Sequence, residues 1–327
     1  MASPLRIAVI SDVHYAGELE RRRVDYGYRP IRNPLRRFLV RQYRHWIWLR
    51  DPFAHNHLLD RFLAGTRTAD YAVANGDYSC DSAFIGVADD AAFASAQECL
   101  GKLRRAFGDR FVPTFGDHEI GKLMMAGDLG GPRVESYHRA VRELGVEPLW
   151  VRSFGRYVLI GVTSSLIAFP VFEPESLPGE VAAWRRLREE HMASLRAAFA
   201  AVQPGQRILL FCHDPTALPF LLEEEAIRAR LPQVERTILG HLHTTAVLSL
   251  ALRMSGLPLI TFLGHTPRRL SAGVRTARLW QEFRPLLCPS PPGIQLFKDG
   301  GYYWIELDPH GAGAAPARFQ FRPLPWD

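Results

Sequence analysis

Cysteine is scarce in this chain, and what is present does not pair. Its 327 residues include only Cys80, Cys99, Cys212 and Cys288, spread singly and without C-x-x-C spacing. That excludes a disulfide framework and a zinc–thiolate site, and it suits a reducing compartment. Long apolar runs are missing too: no stretch approaches the ~20 residues that a membrane-spanning helix needs. The beginning of the chain carries no apolar targeting segment, because "PLRIAVISDVH" reads as a strand running straight into a polar loop. No repeat of solenoid length and no low-complexity linker interrupts the sequence. These absences lead us to expect a cytoplasmic protein that could sit on the inner face of a membrane without crossing it.

Acidic residues are nearly absent from one segment. Residues 21–50 hold ten arginines against the single acid Asp25, within a chain of net charge +6. Without that segment, 30 basic residues face 33 acidic ones, so the basicity is local and needs a local explanation. Elsewhere the composition is ordinary, with 47% apolar and 23% charged residues. That is enough for a sizeable core, and we expect one domain over 1–327.

Short aliphatic and β-branched runs bounded by turn residues read as buried strands: 6–11, 71–76, 111–116, 157–162, 207–212, 236–240 and 258–264. Helical spacing lies between many of them, at 89–108, 134–145 and 178–202. "IQLFKDGGYYWIELD" predicts a hairpin over 294–308 turning at Asp299-Gly300-Gly301, and the prolines of 285–292 suggest a surface excursion. Strands alternating with helices imply an α/β fold with a mixed sheet or a pair of sheets.

The residues just beyond each strand are more telling. Asp12 and His14 come after the first, Asp77 after the second, and Asp117-His118-Glu119 after the third; His213, then His241 and His243, end two later ones. Sites in layered α/β folds are built at the carboxyl edges of strands, so these residues are expected to converge on one rim. Carboxylates mixed with imidazoles and no thiolate suit two divalent ions such as Mn, Fe or Zn, rather than calcium or a structural zinc. D-x-H and H-x-H spacing serves this purpose, since residues i and i+2 of extended backbone project to one side. A lone strand-end histidine is ordinarily just hydrogen-bonded. It is the ordered set that is specific.

The set D-x-H, G-D, G-D-H-E, H, G-H-x-H, running from Asp12 to His243, resembles the calcineurin-like metallophosphoesterase superfamily. The resemblance implies a four-layer α-β-β-α sandwich of two mixed sheets, with a dinuclear metal site at the strand ends. It implies that Asp12, His14, Asp77 and His243 hold one ion and that Asp77, Asp117, His213 and His241 hold the other, with Asp77 bridging. His118 would act on the phosphoryl oxygens or the leaving group, oriented by Glu119, while a metal-bridged hydroxide attacks phosphorus in line. Two divalent ions are therefore the expected cofactors, Mn2+ foremost, with Fe or Zn as alternatives. Where the family has asparagine this chain has Asp117, which adds a negative charge. Tighter metal binding and weaker attraction for an anionic phosphate are the expected results.

The basic segment lies within an insertion at about 18–60. Asn33 before Pro34 is a good helix start. Wound at ~100° per residue, the stretch gathers Leu35, Phe38, Leu39, Tyr43, Trp46 and Leu49 on one side, with Arg37, Arg41 and Arg44 opposite. Three readings stay open. The apolar stripe packs on the domain; or the helix lies on an anionic membrane, with Trp46 and Trp48 at the interface; or it clamps nucleic acid. Sharing of one face by the apolar residues favours the membrane over nucleic acid, and so a phosphorylated small-molecule or lipid-linked substrate. In general plan the chain is similar to UDP-2,3-diacylglucosamine hydrolases. The alternatives are a nucleotide phosphodiesterase or nuclease and, in another class, a non-catalytic binding scaffold. Lys122 and Arg133 in the loop 121–133, and His265 after the run 258–264, are expected on the substrate side.

Overall fold

The computed structural model describes residues 4–326 except 24, 125–128, 263 and 311–315. In chain order the strands are β1 (Leu5–Ile10), β2 (Tyr71–Ala74), β3 (Phe111–Pro113), β4 (Leu149–Phe154) and β5 (Tyr157–Val162). They continue with β6 (Arg207–Cys212), β7 (Val234–Leu239), β8 (Pro285–Leu287), β9 (Gly301–Leu307) and β10 (Arg318–Pro323). One sheet runs β10-β9-β1-β2-β3 and the other β4-β5-β6-β7-β8. Their central strands are parallel, while β9, β10 and β4 pair antiparallel.

Alternation along the strands decides the layers. Ile7 and Val9 of β1 pack between the sheets with Val73, Val112, Leu159, Leu209, Phe211 and Ile238. Ala8 and Ile10 pack outward, against the helices His57–Gly65 and Asp90–Phe107. On the far side, Ile160 and Leu210 meet the helix Val181–Ala200 through Met192, Leu195 and Phe199. Strands buried on both faces must be apolar throughout, which explains why they read as continuous runs. The result is the expected four-layer α-β-β-α sandwich with mixed sheets.

The helices begin where the sequence signals them. The Asp89 side chain accepts from Ala91 N and Ala92 N at 3.1 Å each, which starts Asp90–Phe107. Cys99, Leu100, Leu103 and Phe107 then keep one stripe in the core. Burying each such leucine contributes about 1.5–3 kcal/mol. Asn33 accepts from Arg36 N at 3.0 Å and opens the helix Pro34–Trp46.

Three expected features are absent where the sequence places them. Residues 258–262 form no strand, because the edge beside β7 is already taken by β8. The prolines of 285–292 are therefore not a surface excursion: Pro285–Leu287 is a strand, and Cys288 to Ile294 lie buried behind it. Nor is there a hairpin over 294–308. The backbone N–H groups of Gln295 and Leu296 are spent on the carbonyls of Trp48 and Ile47, so this stretch cannot pair with β9. β9 instead zips onto β1 and turns back into β10.

Candidate metal centre

The parallel strands β1, β2, β3, β6 and β7 end on one edge of the sandwich, and each delivers its chemistry just beyond its last residue. There the backbone is not extended. Asp12, His14, Asp77, His241 and His243 have φ of +52°, +47°, +59°, +63° and +60°. This left-handed region is uncommon for residues with a side chain, costs about 1–3 kcal/mol each, and gathers at functional sites. The expected argument from extended backbone therefore fails, although its outcome survives. Leu242 N bonds Gly240 O at 2.6 Å and Thr244 N bonds Leu242 O at 2.7 Å, which closes three-residue turns centred on His241 and His243. Asp12 N to Gly76 O at 3.1 Å and His14 N to Asp77 O at 3.0 Å tie the first two loops together.

Two glycines make room for this crowding. A Cβ on Gly116 would lie 2.2 Å from Asp77 Oδ1, and one on Gly240 would lie 2.2 Å from Ser11 Oγ and 2.6 Å from Asp12 Oδ2. Any other residue there would displace a carboxylate.

The side chains form adjoining donor groups. Asp77, Asp117, His213 and His241 each offer one atom within 4.8 Å of the others; Asp12, His14 and His243 form a second set, and His14, Asp77 and His118 a third. Donors held 2.0–2.2 Å from a shared ion lie roughly 3 Å apart. His14 Nε2 to His243 Nε2 is 3.1 Å, His213 Nε2 to Asp77 Oδ2 is 3.2 Å, and His241 Nδ1 to Asp117 Oδ1 is 3.2 Å.

Proton placement argues for cations in these groups. His213 Nδ1 lies 2.6 Å from Asn75 O, an acceptor only, so its N–H points there. In the neutral ring Nε2 is then a lone pair, buried and unpartnered, facing Asp77 Oδ2 and, at 3.3 Å, Asp117 Oδ1. Asp77 Oδ2 is likewise buried without a hydrogen-bond partner. Burial would push the His213 imidazole down, but Asp77 and Asp12 outweigh it and hold it well above its usual range. A divalent cation satisfies the same lone pairs, so the donor set fits two such ions.

A family model for calcineurin-like phosphoesterases matches residues 5–245, which covers every one of these donors. The chain belongs to the calcineurin-like phosphoesterase family. It is a metal-dependent phosphoester hydrolase built for two divalent ions. Among solved structures it is similar to a dimetal phosphatase from Danio rerio, at 13% identity over all of both chains with a TM-score of 0.49. It is also similar to a phosphopantetheinyl hydrolase from Mycobacterium tuberculosis, at 15% identity over 74% of this chain and 84% of that one, TM-score 0.37. Likenesses this distant assign no substrate. Curated protein sequences return no match.

Within this calcineurin-like centre, two expectations about neighbouring residues need correction. Glu119 does not orient His118. Its carboxylate, fully buried, accepts from Asp77 N at 3.0 Å, Tyr78 N at 2.8 Å and Gly116 N at 2.8 Å, so it bolts the Asp77 loop to the Asp117 loop. His118 is oriented by Ser79 O, 2.9 Å from its Nδ1, and its Nε2 sits 3.7 Å from Asp77 Oδ2. Burial pushes the His118 imidazole down to about 3. Arg133 is not aimed at substrate either: its guanidinium donates to the carbonyls of Gly130, Gly131 and Pro132 and clamps its own loop. His265 is exposed at the start of the helix His265–Arg275, outside every donor group.

Lys122 does enter the site. Its Nζ lies 3.2 Å from Asp117 Oδ2. Burial works against its charge, but Asp117, Asp77 and Asp81 prevail and raise its pKa. The ammonium offsets the extra carboxylate, so the centre keeps the charge it would have with asparagine at position 117. Lys122→Met is expected to raise KM for a phosphodiester about tenfold, the scale of a lost charged contact. Asp117→Asn in the same chain is expected to restore most of it. Steady-state kinetics on both variants check this, and a double variant no better than the single one rules out compensation.

The helix Pro34–Trp46 reverses the usual amphipathic arrangement. Arg37 donates to Ile31 O, Arg41 pairs with Asp25 at 3.1 Å, and Arg41 and Arg44 lie over the Tyr28 ring. The arginine side is therefore tied to the insertion itself, with Val40 packing beside Met124 and Leu129. Leu35, Phe38, Leu39 and Trp46 are left 56–66% exposed. Leu49 departs from the stripe and is buried. Trp48 is no free interface residue: its ring lies 4.7 Å from that of His243, tilted by 40°, and links the insertion to the metal donors. A second set of exposed apolar residues, Leu250, Met254, Leu257, Leu259, Phe262 and Leu270, lies beyond the His243 loop. Its signal in the sequence is the apolar run 258–264, whose composition alone suggests a strand.

Proposed function

We propose that the chain hydrolyses a phosphoester or pyrophosphate of an amphiphilic substrate presented at an anionic membrane surface, with Mn2+ as the native ion and UDP-2,3-diacylglucosamine as the specific substrate. The observation that carries this reading is the exposed row Leu35, Phe38, Leu39 and Trp46 on a helix whose next turn, at Trp48, touches a metal donor. Apolar side chains that enter the headgroup boundary stabilise binding in proportion to their buried area. Arg32 and Arg36, exposed beside them, supply charge for anionic headgroups. Among the described residues no helix is long and apolar enough to cross a membrane. Contact would then be peripheral, on the cytoplasmic face.

When bound, two divalent ions polarise the phosphoryl group and supply an ionised water at neutral pH. The chain's own residues position that chemistry. His118, with its Nδ1–H held by Ser79 O and its ring kept neutral by burial, presents an Nε2 lone pair beside Asp77 that can take up the proton given off as the water ionises and pass it to the leaving oxygen. Lys122 adds a cation where the phosphate anion arrives.

The deciding assay compares UDP-2,3-diacylglucosamine, bis-p-nitrophenyl phosphate and single-stranded DNA with added Mn2+. Preferred turnover of the lipid substrate supports the proposal. Preferred turnover of DNA, or of the soluble diester alone, supports a nuclease or nucleotide phosphodiesterase, and turnover of none supports a binding scaffold. Flotation with phosphatidylglycerol vesicles tests the surface separately. Replacing Phe38, Leu39 and Trp46 together with serine is expected to abolish flotation while leaving soluble-diester turnover within about twofold, since surface changes away from the site rarely exceed ±0.5 kcal/mol. An unmodified protein that never floats removes the membrane.

A further inference from the structure

The segment that follows the donor His243 is held on the molecule by one set of apolar side chains and exposes another. In the helix Thr245–Arg253, Leu248 and Leu252 pack beside the buried Ala251, in the same core cluster as Ile160 and Leu210, and Val274 joins them from the helix His265–Arg275. Leu250 and Met254 stay exposed, and Leu257, Leu259, Phe262 and Leu270 follow, Phe262 at 83%. A surface helix ordinarily turns polar residues to solvent, whereas Thr245–Arg253 is apolar on both sides. Single exposed apolar residues need no explanation, but a cluster of them marks a contact.

The charge here is as one-sided as in the insertion. Residues 245–275 contain Arg253, Arg268, Arg269 and Arg275 and no Asp or Glu. Arg269 is spent on Glu175 at 2.8 Å, while Arg253 and Arg275 are exposed. Residues 21–50 show the same pairing of arginine excess with exposed apolar side chains. These two stretches are far apart in sequence, yet they meet at one loop. The Trp48 ring lies 4.7 Å from that of His243, and the helix Thr245–Arg253 starts two residues after His243. Another stretch ties them together: Leu296 N bonds Ile47 O at 3.2 Å, and Ser290 N bonds His243 O at 3.3 Å. Leu296 and Phe297 are exposed there too.

A second copy of this face would set arginine against arginine. An anionic bilayer matches it better. Apolar side chains enter the headgroup boundary, arginines pair with lipid phosphates, and the carboxylates that lipid would repel are missing. We infer that residues 245–270 are a second membrane-contact element, docking on an anionic bilayer together with the helix Pro34–Trp46, so that both neighbours of the His243 loop rest on lipid. The assignment rests on the membrane reading of that helix. It extends that reading, because two contacts joined through one loop fix how the metal centre is oriented above the bilayer, whereas one helix leaves the molecule free to tilt.

Flotation of the full chain with phosphatidylglycerol and with phosphatidylcholine vesicles tests the element. Replacing Leu250, Met254 and Phe262 together with serine is expected to weaken partitioning onto phosphatidylglycerol by about tenfold or more, the effect of one apolar side chain losing its burial. Arg253→Gln with Arg275→Gln should weaken it by roughly fivefold per charge and narrow the preference over phosphatidylcholine. Both variants should keep bis-p-nitrophenyl phosphate turnover within about twofold. An environment-sensitive dye on Phe262→Cys, compared with the same labelling of the unmodified chain, should shift to the blue on vesicles and be quenched by nitroxide-labelled lipid. This readout reports contact without depending on a loss of binding. If the unmodified protein does not float, the membrane reading fails and the second element falls with it. If it floats, but the serine variant floats equally well or the dye is not quenched, only the second element is wrong. An unmodified protein that sediments as a dimer beside a monomeric serine variant reassigns this face to a second copy of the chain.

Discussion

Asp77→Asn is expected to strip the protein of at least one of its two metal ions and to slow phosphodiester hydrolysis by roughly 10²–10³-fold or more, the scale for removing one charge-stabilising group at a reacting centre. Asp77 belongs to two of the three donor groups, and its Oδ2 faces His213 Nε2 at 3.2 Å, His118 Nε2 at 3.7 Å and His14 Nε2 at 3.9 Å. Burial and the charge of Asp117 push its carboxyl up, yet His118 and His213 hold it well below the usual carboxylate range. Asparagine keeps the shape and the bond from His118 N to Oδ1, at 2.9 Å, in reach of its carbonyl. What it removes is the charge at the point where the groups meet. Elemental analysis of the purified variant beside its rate with bis-p-nitrophenyl phosphate reads both effects. Asp81→Asn is the control: this carboxyl is equally buried but lies outside every donor group, and its loss is expected to leave two ions in place. Full metal occupancy in Asp77→Asn would show that the donors converge without sharing this bridge.

The second large effect belongs to His118. His118→Ala is expected to slow hydrolysis by roughly 10²–10⁴-fold, the range for an acid/base group, with two ions retained. Its position allows a competing role, because with His14 and Asp77 it forms a donor group of its own. Its ring lies 4.5 Å from that of His14. The two roles separate on metal content rather than on rate. A ligand takes an ion with it when removed, whereas a proton-transfer residue does not. Loss of one ion per chain in His118→Ala reassigns the residue to coordination. A normal rate removes it from the chemistry altogether.

These expectations share a physical basis. Nearly every charged or imidazole group at the strand ends is buried, and three of them are oriented by backbone groups. Ser79 O orients His118, Asn75 O orients His213, and the N–H of His241 holds Asp12 Oδ1 at 2.8 Å. Backbone partners are stiff and cannot titrate, so the donor geometry depends on the sandwich beneath it. Glu119 extends this scaffold by joining the loops of Asp77 and Asp117 through three N–H bonds.

Much of this protein is legible in the amino-acid order alone. Seven metal donors can be named because apolar strands announce themselves, and because a carboxylate or imidazole at a strand end has no other reason to recur. The same signal misleads at 258–264, where an apolar run predicts a strand but residues 258–262 lie largely exposed beyond the His243 loop and no sheet buries them. It misleads again at 294–308, where the backbone donors that a hairpin needs are taken by Ile47 and Trp48.

Periodicity reports which residues share a face, but not which face the rest of the chain will cover. The helix Pro34–Trp46 ties Arg37, Arg41 and Arg44 to its own insertion and leaves Leu35 and Leu39 exposed for that reason. Tertiary packing decided the remainder: Lys122 beside Asp117, Trp48 on His243, and Ser79 rather than Glu119 behind His118. None of these pairs leaves a periodic or spacing signal in the sequence. The strand ends fixed where the chemistry would be; only the packing of loops from separate strands decided which groups hold it and balance its charge.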